Sequence, residues 1–255
     1  MRRLIPFLQI YDKELYKSNQ YSALNYIGDP LVAVKIFNEL KAMEIIISDT
    51  SPCKNGNSID FKLIKNIAEE CFMPVTYSGG IKDISEAYKI LSSGVEKICV
   101  SSGLHNNPEL LKSLVDEFGT STIVSCIEIR NINNQPCVFY QSGKKRSKDS
   151  LPETLKKFQD YGTGEIFLID IERDGTMSGG NEDLVNSIKD YLKVPLIYAG
   201  GIGKAEHCLK LFNAGASAVA VGSAFVYKSK LNGVLINYPD HKYMSLWTGE
   251  KSFLL

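Results

Sequence analysis

The chain repeats itself at half length, without a gap. Pro74-Val-Thr-Tyr-Ser-Gly-Gly-Ile81 returns as Pro195-Leu-Ile-Tyr-Ala-Gly-Gly-Ile202, 121 residues further on. The same offset carries Lys89 to Lys210, Gly94 to Gly215, Val100 to Val221 and Ser102 to Ser223. It also carries Glu44-Ile-Ile-Ile-Ser-Asp49 to Glu165-Ile-Phe-Leu-Ile-Asp170. A repeat that spans apolar runs and glycine turns restricts the chain to folds with approximate two-fold symmetry and two equivalent ligand positions.

Eight short apolar runs alternate with amphipathic stretches. The runs are Leu4–Leu8, Ile45–Ile47, Val75–Tyr77, Ile98–Val100, Ile123–Ile127, Ile166–Ile169, Leu196–Ala199 and Ala218–Val221. Each is apolar on both faces, as a parallel strand covered by helices must be. Helical patterns fill the gaps at Pro30–Ala42, Phe61–Cys71, Ser85–Ser92, Pro108–Phe118, Leu151–Tyr161, Glu182–Tyr191 and Ala205–Asn213, the first capped by Asp29. Eight β-α units in 255 residues fit an α/β (β/α)8 TIM barrel with an internal half-barrel duplication. A doubly wound sheet does not explain the repeat. No linker composition divides the halves, so residues 1–255 are expected to form one domain. Arg130–Gln141 is too polar for a helix, and Val138-Phe-Tyr140 within it suggests a hairpin inserted after the fifth strand.

Composition excludes several classes. Lys+Arg and Asp+Glu balance at 29 each, which gives no electrostatic argument for nucleic acid or a membrane surface. No apolar run approaches the roughly 18 residues of a membrane helix, and Met1-Arg-Arg-Leu-Ile-Pro6 reads as a first strand, not a leader. Cys53, Cys71, Cys99, Cys126, Cys137 and Cys208 form no CxxC or disulfide framework, as in a reduced, cytoplasmic protein. His105, His207 and His241 show no metal spacing, and no metal or cofactor is expected.

Barrel ligands bind at the C-terminal strand ends. Gly79-Gly80 and Gly200-Gly201 fall there after strands three and seven, and Ser101-Ser102 and Gly222-Ser223 after strands four and eight. Glycine lets backbone N–H groups approach an anion, so the repeated arrangement predicts two phosphate cradles. Gln9, Asp49, Glu128, Asp170 and Asp174 are the polar strand-end residues between them; Glu172-Arg-Asp-Gly-Thr176 is both a turn and a charge cluster. Lys17 lies in a first loop, Asp12–Gly28, long enough for a lid; taken by itself it reads as solvated. Lys144-Lys-Arg-Ser-Lys148 reads as a solvated basic loop.

The chain closely resembles the cyclase subunit of imidazole glycerol phosphate synthase, the HisF type, from Arg3 to about Tyr227. The resemblance is carried by Arg3-Leu-Ile-Pro6, Gly28-Asp-Pro30, Gly79-Gly-Ile81, Asn107-Pro-Glu109, Gly164-Glu-Ile166, Arg173-Asp-Gly-Thr176 and Gly200-Gly201. It implies a duplicated barrel that binds a substrate phosphorylated at both ends and receives ammonia from a HisH-like glutaminase subunit. That partner would dock at the N-terminal face. The resemblance places phosphate binding at Gly80, Ser101, Gly175, Gly201 and Ser223, the loop lysine at Lys17 and a strand-two carboxylate at Asp49. An ammonia gate at the barrel foot maps to Arg3, Glu44, Lys97 and Glu165, all with the family's charge sign.

The departures fall at the centre. The family's two catalytic aspartates, on strands one and five, map to Gln9 and Glu128. Its small hydroxyl residues on strand six map to Ile169 and Asp170. A carboxamide does not exchange a proton near pH 7, and losing a positioned acid or base costs roughly 10²–10⁴ in rate. This pattern is similar to the HisF-like, WbuZ-type proteins of glycan pathways. It implies delivery of ammonia, with a sugar amidotransferase, for amidination of a sugar nucleotide, with Glu128 and Asp174 handling protons. The alternatives are the histidine-pathway cyclase, a non-catalytic glutaminase activator and, less well matched, an aminosugar-phosphate isomerase.

Overall fold

The structure, a computed structural model, describes residues 2–52, 58–133, 135–228 and 233–249; Cys53 lies outside them. Strand β1 (Arg3–Tyr11) runs into a hairpin, β2 (Glu14–Asn19) and β3 (Ala23–Gly28). After it come β4 (Ile45–Asp49), β5 (Val75–Ser78), β6 (Lys97–Val100) and β7 (Ile123–Ile132). Strand β7 carries an inserted antiparallel pair, β8 (Gln135–Tyr140) and β9 (Lys145–Arg146), before β10 (Glu165–Asp170), β11 (Leu196–Ala199) and β12 (Ala218–Val221). Strands β1, β4, β5, β6, β7, β10, β11 and β12 pair in parallel in that order, and β12 returns to β1, so the sheet closes. All eight expected strands are present and the fold is a (β/α)8 barrel.

Among the described residues seven helices of seven residues or more cover it, α1 (Pro30–Glu39), α2 (Phe61–Glu70), α3 (Ile84–Leu91), α4 (Glu109–Phe118), α5 (Leu151–Asp160), α6 (Glu182–Ile188) and α7 (Ala205–Ala214), besides short helical turns at Ser102–Asn106, Ser223–Val226 and Met244–Thr248. Each of the seven answers one expected amphipathic stretch. Five of them, all but α4 and α7, start at side-chain caps: on α1 the Asp29 carboxylate accepts from the Leu31 and Val32 N–H groups, and Ser150 with Glu153 closes a capping box on α5. Helix α1 ends at Glu39, short of the expected Ala42, where Lys41 turns left-handed at φ 57°. Helix α6 ends at Ile188, and the expected remainder is a 3₁₀ turn, Lys189–Tyr191.

Strand alternation sorts the core into two shells. On β1, Leu4, Leu8 and Ile10 join the shell under the helices, while Ile5 and Phe7 join the barrel interior. Ile46, Val124, Phe167 and Ile197 also fill that interior, with Phe7 edge-on to Phe167 at 5.3 Å. The period of two makes Gln9 the next inward position above Ile5 and Phe7, and Glu128 the next above Val124 and Cys126. The register makes Gln9 and Glu128 equivalent although they lie 119 residues apart: Gln9 pairs with Ser48 and Glu128 with Ile169, and Ser48 and Ile169 are 121 residues apart.

Candidate active site at the barrel mouth

The long first loop, Asp12–Gly28, is the β2–β3 hairpin folded back over the mouth. Its tip turns through Gln20 and Tyr21, both left-handed at φ 53° and 62°. The hairpin is tied down by Gln20, whose N–H donates to the Asp174 carbonyl at 2.9 Å and whose side-chain amide donates to the Glu172 carbonyl at 2.6 Å. Gly175 is glycine because the hairpin backbone crosses it: a Cβ there would lie 2.5 Å from the Ser18 carbonyl oxygen.

That docking buries Lys17 to 4% exposure, which overturns its reading as a solvated side chain. Its ammonium sits 2.7 Å from Asp174 Oδ1 and donates to Gln9 Oε1 at 3.4 Å. Ser18 joins the same cluster. Its N–H donates to Gln9 Oε1 at 3.1 Å, and its hydroxyl, 3.0 Å from the same oxygen, has its one proton nearest Asp174 Oδ2 at 2.8 Å. The amide oxygen of Gln9 is thus the acceptor at the centre of a buried polar network. Ser18 carried no signal in the sequence, since its partner Asp174 lies 156 residues away.

Glu128, the equivalent position in the second half, has a different environment. It is buried, and burial pushes its carboxyl up to about 7, against the lowering effects of the Gly143 N–H at 2.7 Å and the Arg130 charge. The inserted hairpin supplies that N–H, and Gly143 was not among the sequence candidates. A carboxyl titrating near 7 suits proton transfer at neutral pH. Burial also raises Asp49, ahead of the lowering hydrogen bonds from Ser51, and raises Asp170, ahead of the Arg173 charge.

The Gly-Gly turns are matched in detail. A Cβ on Gly79 would lie 2.3 Å from the Asp49 carbonyl oxygen, and one on Gly200 would lie 2.7 Å from the Asp170 carbonyl oxygen. Their φ values are 143° and 126°. Behind each turn a tyrosine hydroxyl donates to the strand-end carboxylate: Tyr77 to Asp49 at 3.5 Å and Tyr198 to Asp170 at 3.4 Å. These tyrosines obey the same offset, and along the chain they read only as strand residues.

The two halves differ in the room they leave. A cavity of about 280 Å³ brings together Gln9, Asp49, Glu128, Gly79, Gly80, Ser101 and Ser102, and the hairpin adds Tyr16, Ser18, Tyr21 and Leu24. The second, lined by Asp174, Gly175, Gly200, Gly201, Gly222 and Ser223, holds only about 10 Å³. The hydroxyls of Ser101 and Ser223 are buried without a hydrogen-bond partner, while Ser102 accepts the Gln141 N–H at 3.0 Å. Thr176 lines neither cavity; its hydroxyl donates to the Arg173 carbonyl at 2.8 Å. Lys144, Lys145, Arg146 and Lys148 are exposed, as expected.

At the opposite end the four foot residues meet. Arg3 pairs with Glu44 at 3.3 Å and more closely with Glu165, which also takes Lys97. Burial would raise Glu165, but hydrogen bonds from Arg3 and Lys97 prevail and hold its carboxyl below the usual range. Among the described residues Glu44 has only Arg3 as a direct partner, and burial wins, so its carboxyl is raised. A depression beside Arg3, Lys97 and Glu165 opens on this face. Among the described residues no helix is long and apolar enough to cross a membrane.

A family model described as histidine biosynthesis protein matches residues 3–232. A Vibrio vulnificus protein with the provisional name imidazole glycerol phosphate synthase subunit hisF3 is 40% identical, over 93% of each chain. A Leptospira borgpetersenii protein provisionally named subunit HisF is 39% identical, over 93% of this chain and 95% of its own. The imidazole glycerol phosphate synthase subunit HisF of a Thermotoga species is 30% identical, over 89% of this chain and 90% of its own.

Proposed function

This chain belongs to the histidine biosynthesis protein family and is a HisF-type synthase subunit, and from that premise we propose that it passes ammonia from foot to mouth for amidination of a sugar nucleotide. Ammonia comes from a HisH-like glutaminase docked on the N-terminal face. The ion pairs of Arg3, Glu44, Lys97 and Glu165 form the entrance, and the apolar interior around Phe7 and Phe167 carries a small neutral molecule rather than ammonium. At the mouth the Gly79-Gly80 turn and the unpartnered hydroxyl of Ser101 receive phosphate oxygens. Glu128 exchanges the proton, and the Lys17–Asp174 pair orients the mouth.

The observation that carries this reading is Gln9. Its carbonyl oxygen accepts from Lys17 and Ser18, so the strand-one position is a fixed acceptor and not a proton-transfer group. Entrance charges are kept while one of two proton-transfer positions is gone. The test is reconstitution with the glutaminase and a sugar amidotransferase, using glutamine labelled with ¹⁵N in its amide. Label is expected in the sugar nucleotide and depends on this chain; none appearing would remove the proposal. Glu128 favours a second reading, the histidine-pathway cyclase, because one carboxyl titrating near 7 remains. Growth of a cyclase-deficient strain without histidine would support that reading instead.

A further inference from the structure

Two features of the mouth have no part in that scheme: its aromatic wall and the unequal size of its two cradles. Tyr11 and Tyr16 line the larger cavity beside Tyr21. Their rings are held edge to face, Tyr11 to Tyr16 at 5.9 Å and Tyr16 to the exposed Tyr26 at 5.6 Å. The same cavity is also lined by short polar groups: Ser48, Thr50, Ser78, Asp49 and Asn106. An apolar ring wall together with many hydroxyl-scale donors and acceptors suits a carbohydrate, whose C–H faces pack on aromatic rings while its hydroxyls seek such partners. At about 280 Å³ the space lies just below the ligand-site range of about 300–1,000 Å³.

The second cradle is filled from within. The Lys17 stem lies over Gly222, where a Cβ would be 3.0 Å from Lys17 Cε, and its ammonium is held by Asp174. The remaining 10 Å³ is the room of about one water.

We propose that the mouth takes a sugar phosphate anchored by phosphate at one end only. Its ring lies against Tyr11 and Tyr16, its phosphate on the Gly79-Gly80 and Ser101-Ser102 turns, and the Lys17–Asp174 pair closes the second cradle. This rests on reading the mouth as the substrate site, but it is tested on the full chain alone, so its failure leaves the glutamine-labelling result standing and the reverse also holds. The sugar phosphate is either free or the sugar end of a sugar nucleotide.

Calorimetric titration with inorganic phosphate is expected to give one site per chain. N-acetylglucosamine 1-phosphate and uridine diphosphate N-acetylglucosamine are the two sugar probes, and the tighter of them identifies the source. Tyr16→Ala is expected to weaken the sugar probe about tenfold and leave inorganic phosphate unchanged. The K17A/D174A double variant, which removes the pair without leaving a lone buried charge, is expected to take a second phosphate. Circular dichroism melts establish that each variant is folded. Two equal phosphate sites in the wild type overturn the proposal. So do an equal loss of both ligands, or of neither, in Tyr16→Ala, and a folded double variant that still binds one phosphate.

Discussion

Glu128 and Gln9 occupy equivalent places in the two halves but sit in opposite surroundings. Gln9 is satisfied by a lysine and a serine brought in by the hairpin. Glu128 faces a single N–H donor and the desolvation of the barrel mouth, which pushes its carboxyl up to about 7. This has two consequences. The ammonia-dependent reaction should show a pH limb near 7 that Glu128→Gln abolishes, with a rate loss of roughly 10²–10⁴. Stability should respond as well, whether or not an assay exists. The folded-state value lies above the ordinary one, so the protonated form is the stabilised one. Its contribution is complete below about pH 4.5 and is lost as pH rises through about 7. In urea titrations across that window the wild type should lose about 3 kcal/mol relative to Glu128→Gln. A pH-independent difference would show that the carboxyl does not titrate there.

Among the elements, the βα turns and the first hairpin do different work. Gly79 and Gly200 combine a left-handed φ with a backbone oxygen where a side chain would begin. Alanine at either should cost more than about 2 kcal/mol, from strain and overlap together. Because the turns are related by the repeat, the two losses should agree within about 1 kcal/mol in matched denaturation curves. A cost at only one turn would mean that the halves have diverged in backbone as well as in side chains. The hairpin is where the halves do diverge. It holds two left-handed non-glycine residues at its tip, each costing of the order of 1–2 kcal/mol, and it is retained by docking on the Asp174 loop. It closes one cradle and builds the wall of the other.

For the molecule as a whole, the foot and the mouth lie at opposite ends of one apolar interior. Arg3 is the hub of the foot, touching both Glu44 and Glu165. Arg3→Ala leaves Glu44 without its direct partner and Glu165 with Lys97 alone. Because these side chains are partly solvated, the stability loss at neutral pH should be modest, about 1–2 kcal/mol, and should shrink in high salt. The functional effect should be larger and selective. Glutamine-driven labelling should fall while the reaction supplied with free ammonium salt persists. Equal loss under both supplies would place the defect at the mouth rather than at the entrance.

The sequence by itself determined the barrel, its duplication, the strand-end glycines and the foot charges. The barrel, its duplication and the strand-end glycines follow from local periodicity, turn chemistry and the internal repeat, all of which are written along the chain, and the foot charges follow from the family resemblance. Only the tertiary structure decided that Lys17 is buried, that Gln9 accepts from it and from Ser18, that burial pushes the Glu128 carboxyl up to about 7 and that one cradle is full. Lys17 and Asp174 are 157 residues apart, and no pattern along the chain joins them. Desolvation likewise belongs to a position in space rather than to a residue type, so the same repeat could build two matched turns and leave them in unequal surroundings.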